Sequence, residues 1–168
     1  MTLKKGLFMT KTAFFASGCF WGTQYYLDKV DGVISTTVGY MGGEVPNPSY
    51  EQVSTGETGH VETVKVEYDP GEISFEELAK VFFETHDPTQ VGGQGPDIGS
   101  QYLSKIFYSD EEEKQVAEKL IKMLEEKGMK IVTKVEPATE FFQAEDYHQD
   151  YYDKNGQTPY CHAYHKYF

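Results

Sequence analysis

Cys19 is one of two cysteines in the chain, and its setting favours a reactive thiol. A short apolar run typical of a buried strand precedes it, and a predicted helix follows it. Free backbone N–H groups and the helix dipole at such a junction favour the thiolate, so we expect a lowered pKa for the Cys19 thiol. Gly18 and Gly22 flank the cysteine and open backbone space around the sulfur. The alternative is an inert thiol that fills a small gap in the core.

Glu62 is the carboxylate whose position says most about chemistry. In the strand predicted over residues 60–68, alternation places Glu62 on the same face as two valines, which mark that face as the core side. Partial desolvation raises the pKa of a carboxyl group and suits it to donate a proton. A glutamate at the strand mouth that turns to water is the competing interpretation.

Aromatic residues follow Cys19 directly. Phe20 and Trp21 begin the predicted helix, where large rings most often belong to the core. Trp21 is the sole tryptophan of the chain and stands beside the candidate nucleophile. It could therefore wall an apolar pocket for a small alkyl group.

Two long loops, residues 41–59 and 86–101, are rich in glycine and proline. Loops of this length inside a compact domain are usually functional or disordered. The first loop carries Tyr50 and the second leads to Tyr102. The hydroxyl of either tyrosine could bind a polar oxygen of a substrate. Surface or core packing is the competing interpretation for both, since the chain has 13 tyrosines.

The histidines make no metal-binding pattern. His162 and His165 have the spacing of metal ligands and lie near Cys161, but carboxylate partners at helical spacing are missing. We therefore expect neither a metal nor a cofactor.

The elements that must position these residues follow from hydrophobic periodicity and turn signals. The sequences Ser74–Glu77 and Ser109–Glu112 each match a capping box, and the helix opened by the second should end at Gly128. The other predicted elements are strands over 12–16, 33–40, 60–68, 106–108 and 129–135, and helices over 20–29 and 75–85. The order β-α-β-β-α-β, then α-β, predicts an α+β fold: a ferredoxin-like split βαβ, two-layer α/β sandwich with a mixed sheet.

Residues 141–168 differ from the rest of the chain. They are rich in tyrosine and phenylalanine, and their aliphatic residues are two alanines. Such a segment cannot build its own core, so we expect a C-terminal extension of mostly irregular structure, draped over a core of about residues 10–140. It carries Cys161 and should be the most mobile part of a single domain spanning 1–168.

Composition excludes several classes of function. The formal charge of −12 argues against nucleic acid and anionic membranes as partners. No run approaches the roughly 20 apolar residues of a membrane span, and we find no secretory leader. We expect a cytoplasmic monomer, and in a reducing compartment two cysteines seldom form a structural bridge.

Several segments, taken in order, resemble the methionine sulfoxide reductase A family. The resemblance covers roughly residues 12–162 and is too extended to rest on one short motif. The matching segments are Gly18–Gly22, Gly39–Gly43, Pro46–Tyr50, Thr58–Glu62, His86–Pro88, Gln94–Tyr102 and Ala144–Gln149.

The resemblance implies a role for each candidate residue. It makes Cys19 the nucleophile, Glu62 the proton donor and Cys161 the resolving cysteine. The substrate-binding residues that it implies are Phe20, Trp21, Tyr50, Asp97 and Tyr102. Two departures stand out: Pro96 replaces the usual asparagine before Asp97, and no second cysteine follows Cys161.

The implied reaction is reduction of the S epimer of free and protein-bound methionine sulfoxide. Cys19 would become a sulfenic acid, condense with Cys161 to a disulfide, and be recycled by thioredoxin or a similar dithiol. Two alternatives remain open here, a thiol enzyme of the peroxidase type and a non-enzymatic redox sensor.

Overall fold

The computed structural model describes residues 10–160 and 162–168 and has a six-stranded sheet at its centre. Its strands run in the order β7-β6-β1-β3-β2-β8, and a separate hairpin pairs β4 with β5. All neighbours in the large sheet are antiparallel except β6 and β7, which are parallel. The strands are β1 (Lys11–Ser17), β2 (Val33–Met41), β3 (Val61–Tyr68), β4 (Gly93–Gln94), β5 (Asp97–Ile98), β6 (Ser104–Tyr108), β7 (Lys134–Pro137) and β8 (Phe142–Gln143).

Helices pack on one face of this sheet. The inner order β6-β1-β3-β2, with α1 between β1 and β2 and α3 between β3 and β6, is the predicted split βαβ arrangement. The α+β fold with a mixed sheet is thereby confirmed. The helices are α1 (Phe20–Leu27), α2 (Tyr50–Ser54), α3 (Phe75–Glu84), α4 (Glu111–Glu126) and α5 (Tyr151–Asn155), with 3₁₀ turns at Ser100–Tyr102 and Asp146–His148.

The helix starts show where local sequence was sufficient. Ser74 caps α3 in a capping box with Glu77, as predicted. At α4 the prediction was wrong by one residue, because Asp110 is the N-cap and accepts the Glu113 N–H at 2.8 Å. Aspartate caps as well as serine does, and Asp110 is the residue whose carboxylate meets the third N–H of α4.

The main core lies between the sheet and helices α1, α3 and α4. Phe15 of β1 stacks on Phe75 and Phe82 of α3, with ring centroids 5.8 Å and 5.3 Å apart. Leu120 and Leu124 of α4 are fully buried. Burial of one such side chain contributes about 1.5–3 kcal/mol, so this layer stabilises the packing of α3 and α4 on the sheet.

The opposite face of the sheet is covered by coil. A smaller cluster there buries Ala16, Met41, Val61 and Phe107. Phe141 packs over it and lies 5.7 Å from the ring of Phe14. Apolar groups therefore cover both faces of the sheet near the β1–β3 pair. This explains why consecutive residues of β3, whose side chains point to opposite faces, are nearly all buried.

Three elements differ from the prediction. The loop over 41–59 contains α2, and the loop over 86–101 contains the β4–β5 hairpin. The strand predicted over 129–135 lies at 134–137, because residues before it turn away from the sheet: Val132 N–H donates to the Pro88 carbonyl at 2.8 Å. Non-local backbone pairing of this kind leaves no mark on local periodicity.

Hydrogen bonds hold the C-terminal extension against the rest of the domain. The Gln149 side chain accepts from Val38 N–H at 2.9 Å and donates to the Val38 carbonyl at 3.0 Å. Further along, the Glu84 carboxylate accepts the backbone N–H groups of Tyr167 and Phe168. The scarcity of aliphatic side chains is thus offset by hydrogen bonds between the extension and the domain.

Candidate active site

Cys19 is the N-cap of α1 and is almost completely buried. Its carbonyl accepts the N–H groups of Gly22 and Thr23, the third and fourth residues of the helix, at 3.2 Å and 3.3 Å. Gly18 before it adopts a φ of +93°, and a Cβ at Gly18 would overlap the Gln94 side chain. The predicted junction of strand, glycine and helix therefore aims the Cys19 side chain from a helix N-terminus, where an anion is stabilised.

Glu62 lies beside this junction, on the core face of β3. It is 2% exposed, and its Oε1 accepts the Phe20 N–H at 3.0 Å. Burial raises the pKa of Glu62 well above its usual range, and the negative charges of Cys19 and Asp97 raise it further, while the Phe20 bond lowers it. Glu62 thus keeps its proton at pH values where an exposed glutamate has lost it.

An aromatic wall stands next to Cys19. Phe20 is buried, and half-buried Trp21 stacks on Tyr151 with centroids 3.7 Å apart and planes 7° from parallel. The indole Nε1 of Trp21 donates to Nδ1 of buried His148 at 3.0 Å. This bond and the stacking fix the indole plane, which gives the site a rigid apolar side.

Two phenols complete the polar side. Tyr50 opens α2, Tyr102 ends the 3₁₀ turn after the hairpin, and the two side chains are close enough to interact electrostatically. Burial raises the pKa of each hydroxyl, and the charge of Glu62 raises both further. Both hydroxyls therefore remain protonated and can donate to an oxygen placed near Glu62.

Asp97 reaches the site from the β4–β5 hairpin. Gln94 pairs with Asp97, so Gly95 and Pro96 form the two-residue turn, with Gly95 at a φ of +57°. Pro96 therefore occupies the turn, and strand pairing holds Asp97. The carboxylate accepts the Tyr160 hydroxyl at 3.3 Å.

This arrangement places an acid, a thiol and an apolar wall around one point. Comparison with known proteins identifies the family of the chain. The family model of peptide methionine sulfoxide reductase matches residues 11–167. The chain belongs to the peptide methionine sulfoxide reductase family. The family resemblance inferred from the sequence is confirmed.

Individual relatives agree with this assignment. A peptide methionine sulfoxide reductase MsrA from Sulfolobus acidocaldarius is 51% identical over 152 residues, which are 90% of this chain and 86% of the relative. Mxr1 from Saccharomyces cerevisiae in its reduced form superposes with a TM-score of 0.85 at 39% identity, covering 90% of this chain and 89% of Mxr1. The structure of Mxr1 in complex with Trx2 matches with a TM-score of 0.63 at 26% identity, covering 92% and 89%.

The structure of this reductase brings together seven of the eight site residues predicted from sequence; the eighth, Cys161, lies outside the described residues. Sequence reasoning gave no role to three residues that support the site. His148 and Tyr151 hold Trp21, and Glu145 accepts both the Tyr40 hydroxyl and the Tyr50 N–H. Glu145 and His148 lie in the segment Ala144–Gln149, which resembles the family. That resemblance was the one sequence signal that pointed to them.

Possible metal ligands lie apart from this site. Among residues 10–160 and 162–168, the group of three that could hold an ion is Asp28, Asp150 and Asp153, all exposed. Lys29 already pairs with Asp153 at 3.1 Å. Carboxylates of this kind are ordinary on an acidic surface.

Among residues 10–160 and 162–168, no helix has both the length and the apolar character needed to cross a membrane.

Proposed function

We propose that this enzyme reduces the S epimer of methionine sulfoxide, free or within oxidised proteins, with Cys19 as nucleophile and Glu62 as proton donor. The observation that carries the proposal is the buried Glu62 carboxyl, held by the Phe20 N–H beside the helix N-terminus that bears Cys19. A sulfoxide sulfur becomes electrophilic when its oxygen is protonated, and this acid meets that requirement.

The chemical step follows from the placement of these groups. The sulfoxide oxygen lies toward Glu62, Tyr50 and Tyr102, and its methyl group packs against the aromatic wall. Glu62 gives its proton to the oxygen while the Cys19 thiolate attacks the sulfur. This attack forms an S–S bond between Cys19 and the substrate. The protonated oxygen then transfers to the Cys19 sulfur as the S–O bond of the substrate and this S–S bond break, so methionine leaves and Cys19 becomes a sulfenic acid. Solvent then restores the proton of Glu62.

Selectivity for one epimer follows from the same arrangement. A sulfoxide sulfur is a stereocentre that bears an oxygen, a methyl, a longer carbon chain and a lone pair. The acid, the thiolate and the rigid Trp21 wall fix three of these directions, so the opposite epimer would direct a polar oxygen onto apolar rings. The S hand itself comes from the family resemblance.

Recycling requires a second thiol. We infer that Cys161 condenses with the Cys19 sulfenic acid and that a thioredoxin-like dithiol reduces the resulting disulfide. The complex of the related Mxr1 with Trx2 supports this partner. We also place the enzyme in the cytoplasm, where thiols are kept reduced.

A reductase assay with separated epimers of N-acetylmethionine sulfoxide tests the proposal. We expect turnover of the S epimer alone and its complete loss in Cys19→Ser. Equal rates on both epimers would contradict the three-point argument, and residual turnover in Cys19→Ser would remove it as the nucleophile. A thiol peroxidase would instead consume hydrogen peroxide and leave both sulfoxides unchanged.

A further inference from the structure

His162 is the residue that follows Cys161, and it is anchored at the nucleophile's own junction. The residue is 4% exposed, and Nε2 of its imidazole lies 2.6 Å from the carbonyl oxygen of Ser17, two residues before Cys19. Burial lowers the pKa of His162 to about 4, so the ring is neutral at neutral pH. Since a carbonyl only accepts, Nε2 carries the proton and donates it to Ser17.

Gly22 provides the space that this ring occupies. A Cβ at Gly22 would overlap the His162 imidazole, with Nδ1 the nearest atom. The backbone of His162 is held as well, because the Tyr26 hydroxyl of α1 donates to its carbonyl at 3.4 Å. Residues at the end of β1 and along α1 therefore form a socket for one residue of the C-terminal extension.

The chain is tied on both sides of position 161. Before it, the Tyr160 hydroxyl donates to Asp97. After His162, His165 N–H donates to the Glu84 carbonyl at 2.6 Å. Fixing both neighbours of a residue to the walls of a site raises its effective concentration there, since less chain entropy is lost when it reacts.

We propose that His162 is a positioning residue for the recycling step. Bound in the socket of Ser17, Gly22 and Tyr26, it holds the chain next to Cys161 at the junction that bears Cys19. This inference rests on the proposed function. In that step the Cys161 thiol attacks the Cys19 sulfenic acid, an S–S bond forms and the S–O bond breaks. The hydroxyl leaves with the thiol proton as water, so Cys19 is reduced and Cys161 is oxidised.

A single-turnover experiment on the full chain separates the two halves of the cycle. The enzyme, without reductant, is mixed with the S epimer of N-acetylmethionine sulfoxide; product release, dimedone-trapped sulfenic acid and remaining thiols are followed together. In His162→Ala we expect product release at the parent rate and disulfide formation slowed by about three- to tenfold, the size set by one buried hydrogen bond. Sulfenic acid, transient in the parent, should accumulate.

Two comparison variants make the result specific. His165→Ala changes an exposed histidine of the same extension and should form the disulfide at the parent rate. His162→Gln keeps an N–H donor for the Ser17 carbonyl and should recover part of the rate. A merely structural role for His162 would slow product release as well and would not give persistent sulfenic acid.

The outcomes distinguish this inference from the proposed function. Disulfide formation at the parent rate in folded His162→Ala would overturn the positioning role while leaving the reductase proposal intact. Absence of product release in the parent would instead overturn the proposed function. Should His162→Ala fail to fold, Tyr26→Phe removes only the hydroxyl bond to the His162 carbonyl; we expect slower disulfide formation there, and an unchanged rate would refute the proposal.

Discussion

Replacing Glu62 with glutamine tests whether this residue is the proton donor, as proposed. Glutamine has nearly the same shape, and its carbonyl can still accept the Phe20 N–H that the carboxylate accepts at 3.0 Å. The backbone at the start of α1 should therefore stay in place. The change removes the transferable proton and little else.

The expected loss follows from the surroundings of Glu62. Loss of general acid catalysis usually costs about 10²–10⁴-fold, or about 2.7–5.4 kcal/mol at 1.36 kcal/mol per tenfold. Glu62 is 2% exposed, so bulk water cannot replace it as the acid. Tyr50 and Tyr102 keep their protons and can still donate hydrogen bonds to the oxygen. These opposing effects place the expected loss near the middle of the range, about 10³-fold in the single-turnover rate.

The pH dependence gives a second readout of the same group. Because burial raises the pKa of Glu62, the parent's single-turnover rate should fall as pH rises through that raised pKa. The Gln variant should lack this descending limb. A parent-like rate at neutral pH, or the same limb in the variant, would refute Glu62 as the acid and point to a tyrosine.

Glu62→Gln should lower the activity of the enzyme but raise its stability relative to the parent as pH rises. A carboxyl whose pKa is raised on folding binds its proton more tightly in the native state, so stability is lost as pH rises from its usual pKa through the raised one. Glutamine carries no charge and escapes this loss. In thermal unfolding, the midpoint temperature of Glu62→Gln should therefore increase relative to that of the parent as pH rises across that window. A difference between the two midpoints that stays constant with pH would contradict the desolvation argument.

Three further predictions concern other parts of the chain. Cys161→Ser should release one equivalent of methionine but fail to turn over with thioredoxin, and dithiothreitol should restore turnover in part; normal thioredoxin-driven turnover would make Cys161 dispensable. Gly22→Ala should overlap the His162 ring and lower the free energy of unfolding by about 1–3 kcal/mol in denaturant titration, and an unchanged midpoint would contradict the overlap. Asp110→Ala removes the N-cap of α4 and should lower the free energy of unfolding by about 0.5–2 kcal/mol in the same assay. Ser109→Ala should lower it clearly less, and equal losses in the two variants would disprove the cap assignment.

Local patterns were sufficient for the main elements of the fold. Strand alternation placed Glu62 on the buried face of β3, and strand–helix punctuation placed Cys19 at the start of α1. Both signals involve residues within one element, where side-chain direction follows directly from backbone geometry. The loops were less predictable: the short α2 and the β4–β5 hairpin lie where glycine and proline suggested irregular chain, because two-residue strands are too short to show a period.

The sequence by itself thus determined the order of the main elements, the cysteine at a helix N-terminus and the carboxyl group on an apolar strand face. Tertiary structure alone decided what holds them. Trp21 is bonded to His148, 127 positions along the chain, and Ser17 to His162, 145 positions away. No periodicity links residues so far apart, since such contacts depend on how the extension crosses the sheet and helices. The proton of Glu62 likewise depends on burial from several elements at once, which only the folded chain provides.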